Sequence, residues 1–326
     1  VNISSASAEP VTRLLAAPVL KTLLYYDLFR FPLTAEEIHR HCSVKGCTVA
    51  LIEEELRHLV QDGKVFQSGR FYSVNASPEI FTRRLAGNRM AEAALKKAFR
   101  RSRLIARFPF VRSVCISGSL SKNYFDKTTD IDFFIITEPR RLWLCRTLLI
   151  LYKKIFLLNS KKYFCVNYFI DSENLTIPDK NIFTATEVIT LLPASNYEFY
   201  RKFYEANDWV NDYFPNSAPR LYNGTREAAS PFPRRAAEKI LGGQLGEWLD
   251  VFFYRKTWRH WKKKFGYLNR KEFEVNMRSR RSVSKHHPQG FQFQVLRSYE
   301  ARLKEFEQQH RFSFHHDQPD TPWPKS

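Results

Sequence analysis

The stretch from Val114 to Thr137, VCISGSLSKNYFDKTTDIDFFIIT, decides how this chain is read. Val114 to Ser117 is a short apolar strand pattern, broken by Gly118-Ser119. A short helix and a polar loop follow, and then Asp130 and Asp132 open the apolar run Ile131 to Ile136. Side chains two apart on a strand share a face, so the two carboxylates are expected to project the same way. Held side by side, they raise each other's pKa unless a cation lies between them. Magnesium suits that role, because it takes hard oxygen ligands and shares them with a substrate's phosphates. The Gly-Ser turn lets backbone approach a ligand, and the start of the next helix offers N–H groups to an anion. Phosphate cradle and metal clamp at short range are the layout for metal-assisted phosphoryl or nucleotidyl transfer.

Gly118-Ser119, Lys122 three positions after the serine, and Asp130-Ile131-Asp132 ahead of apolar residues resemble the signature of the polymerase β-like nucleotidyltransferase superfamily, most closely its small, minimal-type members. Asn123 stands where that family usually has glycine, and asparagine tolerates left-handed backbone better than most residues. The resemblance implies a Mg²⁺- or Mn²⁺-dependent transfer of a nucleoside monophosphate from an NTP to an acceptor hydroxyl. Gly118, Ser119 and Lys122 would hold the phosphates, and Asp130 and Asp132 would bind metal. The family also implies a third carboxylate on the next strand, Lys161 to Ile170. Alternation puts Cys165, Asn167, Phe169 and Asp171 on one face of that strand. Asn167 takes the central position and cannot act as a base, so either Asp171 substitutes as the third acid or the third acid is missing. The competing expectation is a non-catalytic regulatory or nucleic-acid-binding protein that keeps the fold without the reaction.

Ahead of this core, Thr34-Ala-Glu-Glu37 is a capping box. A helix from about Pro18, two shorter helices ending near His41 and Gln61, and a hairpin turning at Ser68-Gly69 resemble a winged helix-turn-helix unit. Its would-be recognition helix carries Glu53, Glu54 and Glu55, which phosphates repel, so DNA binding by it is not the expectation. Residues 79–108 read as a long basic helix. Beyond the core, the sequence predicts helices at 184–192, 196–213, 234–265 and 294–309. A proline-rich linker at 215–233 and a Ser-rich basic loop at 278–288 separate them, with loose ends before 17 and after 310. The expected class is α+β: a winged-helix-like unit (1–78), a nucleotidyltransferase core on a small mixed sheet (79–195) and a helical C-terminal domain (196–326).

The chain of 326 residues carries a formal charge of +19, which calls for an anionic partner. The excess is local. Residues 83–112 hold ten Lys/Arg against one acid, and residues 233–288 hold fifteen against five. RNA or another polyanion is therefore an expected partner beside the nucleoside triphosphate, although basic residues interleaved with Trp248, Phe252, Phe253, Trp258 and Trp261 also fit an amphipathic core helix. Five cysteines without framework spacing read as thiols of a reducing, cytoplasmic compartment. His39, His41, Cys42 and Cys47 match no standard zinc spacing. Arg146, Lys153 and Lys154 interrupt the most apolar segment, which excludes it as a membrane span.

Overall fold

Strands β3 (Val111–Ser117) and β4 (Asp132–Thr137) pair antiparallel at the centre of a six-stranded sheet in the computed structural model, which describes residues 8–160, 162–222 and 231–314. The strand order is β6 (Leu192–Ser195), β3, β4, β5 (Cys165–Asp171), β8 (Val283–Lys285), β7 (Ser279–Arg280). Only β4 and β5 run parallel, so the sheet is small and mixed, and the class is α+β. Helix α6 (Leu142–Phe156) makes the crossover between them.

Both faces of the sheet are covered, which is why its central strands read as unbroken apolar runs. Val114, Ile116, Phe133, Ile135, Val166 and Phe169 pack with α4 (Pro78–Ile105), α6 and α10 (Gln244–Lys264). Cys115, Phe134, Ile136 and Ile170 pack with α7 (Ile182–Thr190) and α8 (Tyr197–Glu205). All five cysteines are free thiols.

Upstream lie α1 (Ala8–Asp27), α2 (Ala35–Arg40), α3 (Val49–Gln61) and the hairpin of β1 (Phe66–Ser68) and β2 (Phe71–Ser73). The Thr34 capping box forms as its sequence requires. Helix α1 begins ten residues before the expected start and runs through Pro18. Arg84 of α4 clamps this unit to the rest. Its buried guanidinium donates to Pro32 O at 2.6 Å and Glu37 Oε1 at 2.6 Å, and lies 3.8 Å from the Phe31 ring.

The last third does not pack by itself. Residues expected to form a Ser-rich loop make β7 and β8 and extend the central sheet. The expected 234–265 helix is broken at Gly242-Gly243 into α9 (Phe232–Leu241) and α10. A short α11 (Arg270–Asn276) precedes β7. Helix α12 (Phe291–His310) places Val295, Tyr299 and Phe306 in one core with Leu20 and Leu24 of α1. Residues 192–195, expected to finish a helix at Pro193, form β6; a proline is tolerated there because β6 is an edge strand. Helix α8 ends at Glu205, short of the expected 213, and a 3₁₀ turn covers Asp208–Asp212. The expected linker is pinned at its start: Tyr222 stacks on Phe99 at 4.6 Å, and the Tyr200 hydroxyl accepts from Arg220 N at 2.9 Å. The rest of that linker at 223–230, the first seven residues and the tail from 315 lie outside the described residues.

Candidate functional site

The turn after β3 shows why glycine stands there. Gly118 has φ +67°, and a Cβ on it would sit 2.7 Å from Asp132 Oδ2. A single helical turn, α5 (Gly118–Ser121), follows and closes at Lys122. Asn123 adopts φ +58°, the left-handed backbone that asparagine tolerates. Lys122 folds back over the turn. Its ammonium donates to Gly118 O at 3.2 Å and to Glu187 Oε1 at 2.8 Å.

Gly118, Ser119, Lys122 and Asp132 converge on one cavity of about 500 Å³. Asn167 of β5 and Glu187 of α7 join them. Asn167 Nδ2 donates to Asp132 Oδ1 at 3.3 Å. Burial pushes the Asp132 carboxyl up to about 6, and the charges of Asp130 and Glu187 add to the rise, while Cys165 and Lys122 oppose it. Asp130 lies in the loop just ahead of β4; its charge reaches Asp132, but it does not line the cavity. The expected common face for the two carboxylates is thus realised only in part, because the strand begins at Asp132.

Asp171 is not in the site. In the parallel register Asp132 pairs with Cys165 and Thr137 with Asp171, so the two aspartates lie at opposite ends of the strand pair. Five residues of strand separate those ends, about 17 Å. They also lie on opposite faces. Phe133 pairs with Val166 but Phe134 with Tyr168, so Asn167 is the extra residue of a β-bulge. One extra residue reverses the alternation beyond it. Asp171 is spent on its own turn: Oδ1 accepts from Glu173 N at 3.1 Å, Asn174 N at 2.9 Å and Asn174 Nδ2 at 2.9 Å.

Glu187 went unseen in the sequence. The available signal was a single carboxylate in Ile182-Phe-Thr-Ala-Thr-Glu-Val-Ile-Thr190, whose neighbours from Thr184 to Thr190 are otherwise buried. Lys285 of β8 also lines the cavity, near Asn167 and His287. Burial pushes its amine down to about 8, against the opposing pull of Asp179 at 3.6 Å. Gln292 Oε1 accepts from it at 3.1 Å. Asp179 is itself held by Arg278 through two hydrogen bonds of 3.0 and 2.7 Å.

The remaining wall is aromatic and comes from distant parts of the chain. Tyr25, Tyr26, Phe29 and Phe31 belong to the N-terminal unit, Phe183 to α7 and Phe291 to α12. Phe291 lies 6.2 Å from Phe29 and 5.9 Å from Phe183. The N-terminal unit therefore walls the cavity. The outer side of its helix α3 exposes Glu53 beside Arg57 and His58, with no basic excess to meet phosphates.

Among the described residues, no three His, Cys, Asp or Glu side chains gather closely enough to hold a metal without other ligands. His39 and His41, weighed above for zinc, bond instead to Cys47 O at 2.8 Å and to Tyr26 and Glu37 O at 2.7 and 2.8 Å. No described helix is long and apolar enough to cross a membrane. No family model matches the chain, and no curated protein or solved structure is significantly similar to it.

Proposed function

We propose that this chain is a magnesium-dependent nucleotidyltransferase that moves a nucleoside monophosphate from an NTP to an acceptor hydroxyl. The observation that carries the reading is the convergence of the Gly118-Ser119 turn, Lys122 and Asp132 on one cavity of about 500 Å³, a volume suited to a nucleotide-sized ligand. Magnesium needs only one or two protein carboxylates when phosphates and water complete its shell. Asp132 supplies one from the cavity wall, and Asp130, in the loop beside it and outside that lining, would supply the second. The Asp132 carboxyl is displaced upward by burial first and then by Asp130 and Glu187, against the pull of Lys122, and a bound cation would favour its charged form. The donor set therefore fits the ion. Bound there, the metal would polarise the α-phosphate and neutralise charge developing on the leaving pyrophosphate.

The protein's own groups have separate tasks. Gly118 keeps the turn close enough for phosphates to reach backbone. Lys122 exchanges its contact with Glu187 for the β- and γ-phosphates, freeing a carboxylate opposite Asp132. Asn167 holds the Asp132 carboxylate in orientation through its 3.3 Å hydrogen bond. The aromatic wall takes the base or the apolar part of the acceptor. A non-catalytic reading is favoured by one observation: an amide, Asn167, occupies the strand position beside Asp132.

The test is thermal shift and pyrophosphate release for the purified chain with each NTP, with and without Mg²⁺ or Mn²⁺. Metal-dependent stabilisation with turnover supports the transferase. Stabilisation without turnover against a panel of acceptors supports the non-catalytic reading.

A further inference from the structure

Helix α10 carries two kinds of aromatic side chain. Trp261 is buried 6.1 Å from Trp143, with the Arg146 guanidinium 4.8 Å from its ring, and serves the core. Trp248 and Phe252 serve nothing inside. They are 62% and 45% exposed and stack on one another at 5.7 Å with 14° between their planes. Arg255, Lys256, Arg259 and Lys263 continue the same outer face at steps of about one turn, and all four are exposed. The row from Trp248 to Lys263 spans about 22 Å.

Two observations narrow the partner. With the described residues, Arg255, Lys256, Arg259 and Lys263 form no ion pair or hydrogen bond; only Lys256 approaches a ring, 5.8 Å from that of Phe252. The buried cations of the same region are engaged: Arg141 by Leu241 O and Gly243 O, Arg234 by Ala106 O and Val111 O, Arg278 by Asp179. The outer row thus keeps its positive charge for something outside the chain. A second copy would bring the same +19 and be repelled. The complement of this face is a polyanion with flat apolar faces to offer. A single-stranded nucleic acid has both, whereas a duplex hides its base faces. The basic helix α4 makes the contrast: its Phe99 is half-buried against the core and covered by Tyr222, stacked at 4.6 Å.

We propose that the outer face of α10 is a docking track for single-stranded nucleic acid, with Trp248 and Phe252 stacking on bases and Arg255, Lys256, Arg259 and Lys263 neutralising phosphates. None of these residues lines the cavity, so the track stands whether or not the cavity turns over nucleotide.

The test is fluorescence anisotropy of the full chain with labelled oligouridylate and oligothymidylate of about twenty nucleotides, titrated with salt. The expected slope of log affinity against log salt from this row alone is about −3 for single strands. Trp248→Ala with Phe252→Ala should weaken binding by about ten- to a hundredfold and leave the slope unchanged. Arg255→Gln with Arg259→Gln should flatten the slope by about 1.4. Asp132→Asn should change neither. Four outcomes would overturn the proposal: no binding at low salt; binding that neither variant alters; self-association of the chain abolished by the aromatic variant; or binding to anionic phosphatidylglycerol vesicles that needs this row while oligonucleotide binding does not. Trp248, Phe252, Arg255 and Arg259 are all exposed side chains, so folding is not at issue for the track variants.

Discussion

The two ends of the β4–β5 pair hold aspartates of opposite character. Asp171 closes one end, and three hydrogen bonds from Glu173 and Asn174 satisfy it. Asp132 opens the other, where it is met by the weak 3.3 Å contact from Asn167 and by the Cys165 thiol, and burial drives its carboxyl up to about 6. The difference separates a carboxylate saturated by its own turn from one that few donors reach. A local turn that supplies donors stabilises the charge it surrounds. A cavity that supplies few leaves the carboxyl raised by its burial.

The largest effect should come from Asp132→Asn. Turnover should fall by on the order of 10²–10³-fold, while stability holds or rises because a poorly solvated charge has gone. Pyrophosphate release and thermal midpoints on the same preparation read both. A variant that keeps full activity would erase the contrast between the two ends.

Gly118→Ala sharpens the same point by geometry. The new Cβ would meet Asp132 Oδ2 at 2.7 Å in a backbone at φ +67°. Chemical denaturation should show a loss of about 1–3 kcal/mol, and activity should drop more than stability accounts for. Asp171→Ala should do the reverse. Leaving two backbone donors of its turn unpaired costs about 1–3 kcal/mol, with activity per folded molecule unchanged.

The sequence brought Gly118, Lys122 and Asp132 together as the cavity does and misplaced Asp171, for a physical reason. Glycine, lysine and the Asp-x-Asp pair act through local geometry, so their spacing carried the information. The paired face of β5 depended on an unbroken alternation, and Cys165-Val-Asn-Tyr-Phe-Ile-Asp171 gives no sign that Asn167 bulges. Glu187 reaches Lys122 across 65 positions of chain, a proximity no local pattern encodes. The same blindness affected β6 to β8. Pro193 and the Ser-rich segment read as breakers, yet β6 is an edge strand that must pair on one side only, and β8 is held between β5 and β7. The outer row of α10 was visible only as interleaved aromatics and cations. Which rings face inward was settled by α6 packing against the other side of the helix.

A third carboxylate calibrates the comparison at smaller amplitude. Asp250 is fully buried; its Oδ1 accepts from Trp143 N at 2.7 Å and Leu144 N at 3.0 Å, capping α6. Burial outweighs those bonds and raises its carboxyl to about 6. A folded-state value above the unfolded one means that stability from this group is fully present below about pH 4 and is lost as pH rises through about 6. The loss is on the order of 1–3 kcal/mol. Thermal midpoints of the native chain should therefore fall relative to Asp250→Asn between those pH values, and parallel profiles would contradict the assignment.

The most direct measurement is thermal stabilisation by MgATP, and by each other NTP, of the native chain, Asp132→Asn and Asp171→Asn side by side. The account predicts metal-dependent stabilisation of the native chain and of Asp171→Asn, and its loss in Asp132→Asn. Equal stabilisation of all three, or loss in Asp171→Asn alone, would contradict the placement of the nucleotide site at the Asp132 end.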